Sequence, residues 1–215
     1  MIQNKSLKRR IIETSWKHKL AHLGSCLTAV DIIKEIYDHM HITYKTEWDD
    51  RFILSAGHAG LALYVVLEKF GWGNAEEMLE IHGIHPNRDL AHGIYVSTGS
   101  LGQGLPIALG MALADRRKNV YCLISDGECN EGSIAEALRI QREQALSNLK
   151  VYINANGWGA YRKIEMTNIL NPLVYLGPTI VYTNMNDYPT WLQGQEAHYV
   201  SMNEEQYREV MEILK

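Results

Sequence analysis

Apolar positions along this chain come in two kinds of run, short unbroken stretches and helical repeats, and the two alternate. Residues 119–124, Asn-Val-Tyr-Cys-Leu-Ile, are almost wholly apolar and end in Ser125-Asp126-Gly127, which predicts a buried strand delivering an Asp and a Gly at its carboxyl edge. Residues 131–146 follow with Ile134, Ala135, Leu138 and Ala145 spaced among good helix formers, which predicts a helix. Residues 150–153, Lys-Val-Tyr-Ile, form a second predicted strand, ending at Asn154 and Asn156. Upstream, 5–19 and 25–40 read as helices, the second carrying Leu27, Val30, Ile33, Ile36 and Tyr37 at helical spacing. A short strand is expected at 51–54, Ser55-Ala-Gly-His58 punctuates it, and a helix is expected over 59–70. A polar loop bearing Gly and His spans 82–98 and runs into Thr98-Gly-Ser-Leu-Gly-Gln-Gly104, ahead of a small-residue helix at 106–116. Beyond Asn156 the pattern weakens to one strand at 179–183 and a terminal helix at 203–214. Such alternation predicts an α/β fold, a mainly parallel sheet flanked by helices.

Composition narrows the class without naming a chemistry. At 215 residues the expectation is a single domain over 1–215. Hydrophobic residues at 46%, charged residues at 21% and a net charge of −4 are those of an ordinary globular protein and point to neither nucleic acid nor membrane. Lys and Arg gather in 5–10, where a basic run at the start of a helix reads as a solvated face. With no apolar stretch of membrane length and no signal-peptide core, the expected location is cytoplasmic. Cys26, Cys122 and Cys129 fit neither a disulfide framework nor a C-x-x-C metal site, and Cys122 reads as a small buried hydrophobe.

Candidate chemistry centres on the two strand ends. Ligands of an open parallel sheet bind beyond its carboxyl ends, so a strand, helix, strand unit puts Asp126 and Asn156 at one mouth. Mg²⁺ takes oxygen ligands in octahedral geometry and keeps substrate phosphates among them. One Asp, one Asn and a backbone carbonyl leave room for two diphosphate oxygens and a water. Taken alone, Asp-Gly after a strand is as readily a plain turn.

The motifs decide between these readings when taken in order. His22-Leu-Gly-Ser, Asp50-Arg-Phe-Ile-Leu-Ser-Ala-Gly-His58, Gly83-Ile-His85-Pro86, Ser97-Thr-Gly-Ser-Leu-Gly-Gln-Gly104, Asp126-Gly-Glu-Cys-Asn-Glu131-Gly132 and Asn154-Ala-Asn156-Gly occur along the chain. In this order the chain resembles the thiamine-diphosphate domain that forms the N-terminal part of transketolases, closely over about 10–165 and loosely in the tail. The resemblance implies Asp126, Asn156 and the backbone carbonyl of Trp158 as ligands of Mg²⁺, with Ca²⁺ or Mn²⁺ as substitutes. It implies Gly127 as the glycine whose N–H meets the diphosphate, a contact that needs close backbone approach. His58 is implied to face diphosphate or substrate, Gly99 and Leu101 to contact the cofactor rings, and Glu131 to reach a glutamate of the partner domain across a dimer interface. His22, His85 and His198 resemble histidines that line the substrate channel and move protons there. The remaining histidines match no motif: His18, His39 and His41 are expected at the surface or at helix ends, and His82 and His92 in the loop with His85.

In that family thiamine diphosphate supplies a carbon nucleophile that carries a two-carbon ketol unit from a ketose to an aldose, and histidine suits the proton steps. The glutamate that activates the cofactor lies on a second, pyrimidine-binding domain, which implies that this chain is the N-terminal subunit of a split transketolase. A C-terminal subunit is then the expected partner, in a heterotetramer. Two other readings stand beside it: the cofactor-binding subunit of a 2-oxo acid dehydrogenase or decarboxylase, and a degenerate, non-catalytic binding partner. Ser125 stands where the family usually has Gly, Asn154 where Asp is common, and the chain after about 162 is atypically short, so that a helix and a strand are expected to be missing before Pro178.

Overall fold

The computed structural model describes residues 2–43, 49–159 and 162–215. Two helices, α1 (Lys5–His18) and α2 (Leu23–His39), precede β1 (Arg51–Leu54). A 3-10 turn at Gly57–Ala59 then leads into α3 (Gly60–Lys69), α4 (Ala75–His82) and α5 (Gly104–Ala114). Next come β2 (Val120–Ser125), a 3-10 turn at Glu128–Asn130, α6 (Gly132–Glu143), β3 (Leu149–Ala155), α7 (Met166–Val174) and β4 (Thr179–Tyr182). A third 3-10 turn at Thr190–Leu192 precedes α8 (Glu196–Tyr199) and α9 (Glu204–Ile213). The strands form a 4-stranded sheet in the order β1-β2-β3-β4, and every pairing is parallel. This is the expected α/β architecture.

Burial on both faces explains the apolar run that announced β2, all of whose residues are buried. Its side chains alternate: Tyr121 and Leu123 join a core built with α1, α2, α3 and α4, while Val120, Cys122 and Ile124 join a second core with α5, α6, β3 and α7. The register sets Ser125 beside Asn154, so β2 and β3 end level and their following residues share one mouth.

Some expectations change. The basic run at 5–10 is not simply solvated. Lys8 is buried and pairs with Asp31 of α2, while Arg10 Nε lies 3.0 Å from Glu68 and Nη1 2.8 Å from Glu76, tying α1 to α3 and α4. Among the described residues a helix does precede β4: α7 is present, with Pro172 inside it. Its 9 residues interrupted by proline are too few to give a legible helical period, yet they bury Leu170 and Leu173. α4 is another short helix, set by Asn74, whose side chain accepts the N–H of Glu76 (2.9 Å) and Glu77 (3.2 Å). No described helix is long and apolar enough to cross a membrane. Terminal helix α9 matches its expected span, held by a capping box in which Asn203 and Gln206 exchange bonds of 2.9 Å.

Candidate active site at the carboxyl edge of the sheet

Beyond the strand ends lies a cleft of about 160 Å³, lined among others by His22, His58, His85, Leu101, Gly127, Asn156, Trp158 and His198. These residues, all expected at a site, therefore face one cavity although they come from most of the chain's length. Asp126, Gly99 and Glu131 are not among its lining residues. Asp126 is fully buried directly beneath, with Oδ1 accepting the N–H of Gly127 (2.9 Å) and Oδ2 that of Gly157 (2.7 Å). Gly99 sits behind the wall, with the His85 ring against it: an added Cβ would lie 3.1 Å from His85 Cδ2. Glu131 is exposed on the far side of the Gly102 turn, where a Cβ would come within 2.7 Å of the Glu131 Cβ.

Three glycines fuse the loops around this cleft. A Cβ on Gly57 would come within 2.6 Å of Gly99 N, one on Gly104 within 2.6 Å of Ser55 Cα, and one on Gly60 within 2.1 Å of Ile84 O. Main chain therefore packs on main chain between 55–60, 84–86 and 98–104, which fixes His58, His85 and Leu101 relative to one another. Gly127 and Gly157 differ in kind: a Cβ on Gly127 would meet nothing nearer than 3.7 Å, and one on Gly157 nothing within 4 Å. A side chain over Gly127 would make ordinary contacts with Gly159, Ser125 and Ile164, whereas the space over Gly157 is open.

The histidines converge from separate elements. Ring centroids of His22 and His58 are 5.7 Å apart, and those of His22 and His198 6.4 Å. His22 adopts φ 62° at the start of α2, a left-handed conformation that histidine tolerates better than most residues. It is held there by its N–H, donated to the His198 carbonyl (2.9 Å). His198 Nε2 lies 3.5 Å from Ser25 Oγ. Burial, reinforced by the neighbouring imidazoles, pushes the His58 pKa down to about 3 and lowers those of His22 and His198. All three are neutral at pH 7, and the Nδ1 atoms of His22 and His198 are buried without a hydrogen-bond partner. Burial likewise raises the Asp126 pKa to about 6, against the opposing pull of its main-chain hydrogen bonds.

The departures at Ser125 and Asn154 are absorbed locally. Ser125 Oγ turns onto Glu128, accepting its N–H at 3.3 Å, and does not crowd the turn. Asn154 is a strap: its Nδ2 donates to Thr28 Oγ1 (3.0 Å) and its Oδ1 accepts from Thr183 Oγ1 (2.6 Å), joining α2 to the residue after β4. The sequence does not single out Glu128. It is fully buried, and its Oε1 accepts from Ser55 Oγ (2.6 Å) and Gly102 N (3.0 Å) while Oε2 accepts from Ser125 N (3.0 Å). Its place two residues after Asp126 is visible in the chain, but nothing in a turn marks a glutamate as buried.

Comparison with known proteins bears on these features together. Residues 7–167 match the sequence model of a family described as transketolase, thiamine diphosphate binding domain. The chain belongs to the transketolase family. It is 35% identical over 169 residues to an apulose-4-phosphate transketolase subunit of Phocaeicola vulgatus, a match covering 72% of this chain and 60% of that one. It is 36% identical over 154 residues to the transketolase of Homo sapiens, covering 64% of this chain and 24% of that one. A further relative, the protein named ferredoxin fas2 of Rhodococcoides fascians, is 34% identical over 154 residues, 63% of this chain and 50% of that protein. The chain thus spans 60% or less of these curated relatives.

The family's cofactor suits the residues present. Asp126 offers two carboxylate oxygens, and Asn156 Oδ1 is an amide oxygen at the neighbouring strand end, although main-chain N–H groups already reach both side chains, that of Trp158 meeting Asn156 at 2.9 Å. An all-oxygen donor set is what a hard cation takes, and Gly127 and Gly157 keep the main chain beside it free of side chains, although their N–H groups are donated to Asp126. The orphaned imidazole nitrogens of His22 and His198 give the cleft polar atoms for a ligand to satisfy.

Proposed function

We propose that this chain is the diphosphate-binding subunit of a two-subunit, transketolase-type enzyme that transfers a two-carbon ketol unit between phosphorylated sugars. The whole chain serves as one domain of that enzyme. The observation that carries this reading is the meeting, at one sheet edge, of the Asp126–Gly127 turn and Asn156 with the desolvated histidines His22, His58 and His198.

In this reading Asp126, Asn156 and the Trp158 carbonyl hold Mg²⁺, and Gly127 N–H meets the diphosphate. Thiamine diphosphate supplies the carbon nucleophile. His58, kept neutral, faces the diphosphate or the substrate; His22, His85 and His198 exchange protons with sugar hydroxyls, for which a neutral imidazole offers both a donor and an acceptor nitrogen. Leu101, at 39% exposed, presents an apolar contact to a cofactor ring at the open side.

Two features support a partner. The cleft, at about 160 Å³, is smaller than the roughly 300–1,000 Å³ of a complete small-molecule site. Helix α5 is apolar on its outer face as well as its inner one, with Ile107 42% and Leu113 40% exposed, and both Leu101 and Glu131 are exposed as well. A pyrimidine-binding subunit, and a second copy of this chain, would cover that face. The Phocaeicola vulgatus relative is itself named as one subunit of a transketolase.

A thermal melt with thiamine diphosphate and Mg²⁺, run with and without a C-terminal transketolase subunit, tests the proposal, because a ligand bound only by the folded state raises the midpoint. A rise that requires Mg²⁺ and grows with the partner, together with ketol transfer only in the mixture, is expected. Gly127→Ala should fold normally, since its Cβ meets nothing nearer than 3.7 Å, and should lose most of the rise. No rise in the mixture would sink the enzymatic reading and leave a non-catalytic binding partner.

A further inference from the structure

Away from the cleft, the structure assembles a second group of ligating side chains. His82, Asp89 and His92 each offer one ligand atom, and all three atoms lie within 4.8 Å of one another. Both histidines aim at the same carboxylate oxygen: His92 Nδ1 lies 2.7 Å from Asp89 Oδ2, and His82 Nε2 lies 3.4 Å from it. The other oxygen, Oδ1, is taken by the N–H of Ala91 at 3.0 Å, which orients the carboxylate. The His82 side chain is only 4% exposed, yet its Nε2 makes no hydrogen bond. A buried imidazole nitrogen left without a hydrogen bond is a destabilising feature that a bound ligand would relieve. Asp89 lies between His82 and His92 in the same loop, three residues from His92, and the fold turns His82 back onto it as well.

The surroundings hold this arrangement rigidly. His82 ends α4, where Gly83 (φ 72°) reverses the chain, and the Tyr64 hydroxyl donates to the Gly83 carbonyl at 3.1 Å. Asp89 and Ile94 exchange two main-chain hydrogen bonds of 2.8 Å, closing a small hairpin around His92. Gly73 leaves room for the His92 ring, because a Cβ there would lie 2.6 Å from His92 Cδ2. Gly93 (φ 76°) does the same for Trp72, whose ring would be 2.9 Å from its Cβ.

We propose that His82, Asp89 and His92 form a binding site for a transition-metal ion of the zinc type, with the remaining coordination positions open to water. Two imidazole nitrogens and one carboxylate oxygen are a donor set that zinc uses when it keeps an open position, and one that also serves Co²⁺ and Fe²⁺. It is distinct in chemistry from the all-oxygen set at Asp126, which suits Mg²⁺. Because His85 lies between the ligands in sequence, the bound ion clamps both ends of the segment that brings His85 to the cleft.

The test uses the full chain, stripped with a chelator and titrated at neutral pH with Zn²⁺ by calorimetry and with Co²⁺ by visible absorption. One equivalent should bind, with the absorption bands of a low-coordinate nitrogen-containing site, and should raise the melting midpoint. His92→Gln, at the more open side of the cluster, should weaken binding by at least about 100-fold while the apo protein melts as wild type does. His82→Gln should do the same if it folds. His22→Gln removes a histidine of the cleft and should leave the titration unchanged. Absence of saturable binding, equal binding by His92→Gln and wild type, or loss of binding in His22→Gln alone would each overturn the proposal.

Discussion

Two carboxylates stand two residues apart in the turn after β2, both fully buried, and their surroundings could hardly differ more. Glu128 is saturated by its own chain: Ser55 Oγ, Gly102 N and Ser125 N converge on it from the end of β1, the 98–104 loop and the end of β2. The nearest donors to the Asp126 carboxylate are the main-chain N–H groups of Gly127 and Gly157, and the residues on either side of it, Ser125 and Gly127, line the cleft. Burial raises the pKa of both. Yet one lies in the joint that keeps three loops together, and the other lies beneath residues that line the cleft. Burial of an acid is therefore no sign of function by itself. What separates the two is whether the chain's own donors account for the charge.

The comparison breaks most visibly at Glu128. Glu128→Ala leaves a hydroxyl and two main-chain N–H groups buried without an acceptor, and should cost about 3–5 kcal/mol, a fall on the order of 10 °C in Tm. Chemical denaturation and a thermal melt measure it. A loss under about 1 kcal/mol would mean that the hub is not what fixes the loops.

Asp126→Asn should cost much less, about 1–2 kcal/mol, because the amide still accepts one of the two N–H groups while a buried charge is removed. Its cost should appear elsewhere, as loss of the Mg²⁺-dependent rise with thiamine diphosphate. If Asp126→Asn destabilised the protein as much as Glu128→Ala and left the rise intact, the assignment of the two acids would be reversed.

Per pH unit, the smallest effect is that of acid on His58 in the cleft. His58 faces His22, His85 and His198, and its folded pKa of about 3 lies below the ordinary histidine value of about 6.5. Between those values the unfolded chain binds the proton and the folded chain does not, so His58 costs nothing above about pH 6.5 and lowers stability progressively as pH falls below it. Relative to His58→Gln, wild type should lose at most about 1.4 kcal/mol per pH unit on acidification through that window, read from urea midpoints. Parallel pH profiles for the two proteins would show that His58 is hydrated and not desolvated.

Much of the frame was legible because local pattern and global position agree. The run at 119–124 could be apolar throughout only if both faces of the strand were covered, and they are. Asp126, Gly127 and Asn156 were legible as strand-end residues, since a parallel sheet sends its carboxyl ends to one edge. Helix α7 was not legible, because proline interrupts its short period, and neither was the burial of Lys8, which depends on Asp31 of another helix.

The sequence by itself determined the sheet, the flanking helices and the ordered motifs, because hydrophobic period and turn residues act over a few neighbours. Only the tertiary structure decided which polar groups answer one another. Glu128 with Ser55 and Gly102, Asn154 with Thr28 and Thr183, and His198 beside His22 are pairings set by where loops pack, not by spacing along the chain. A buried polar atom must find its partner wherever the fold brings one, and that requirement has no period to read.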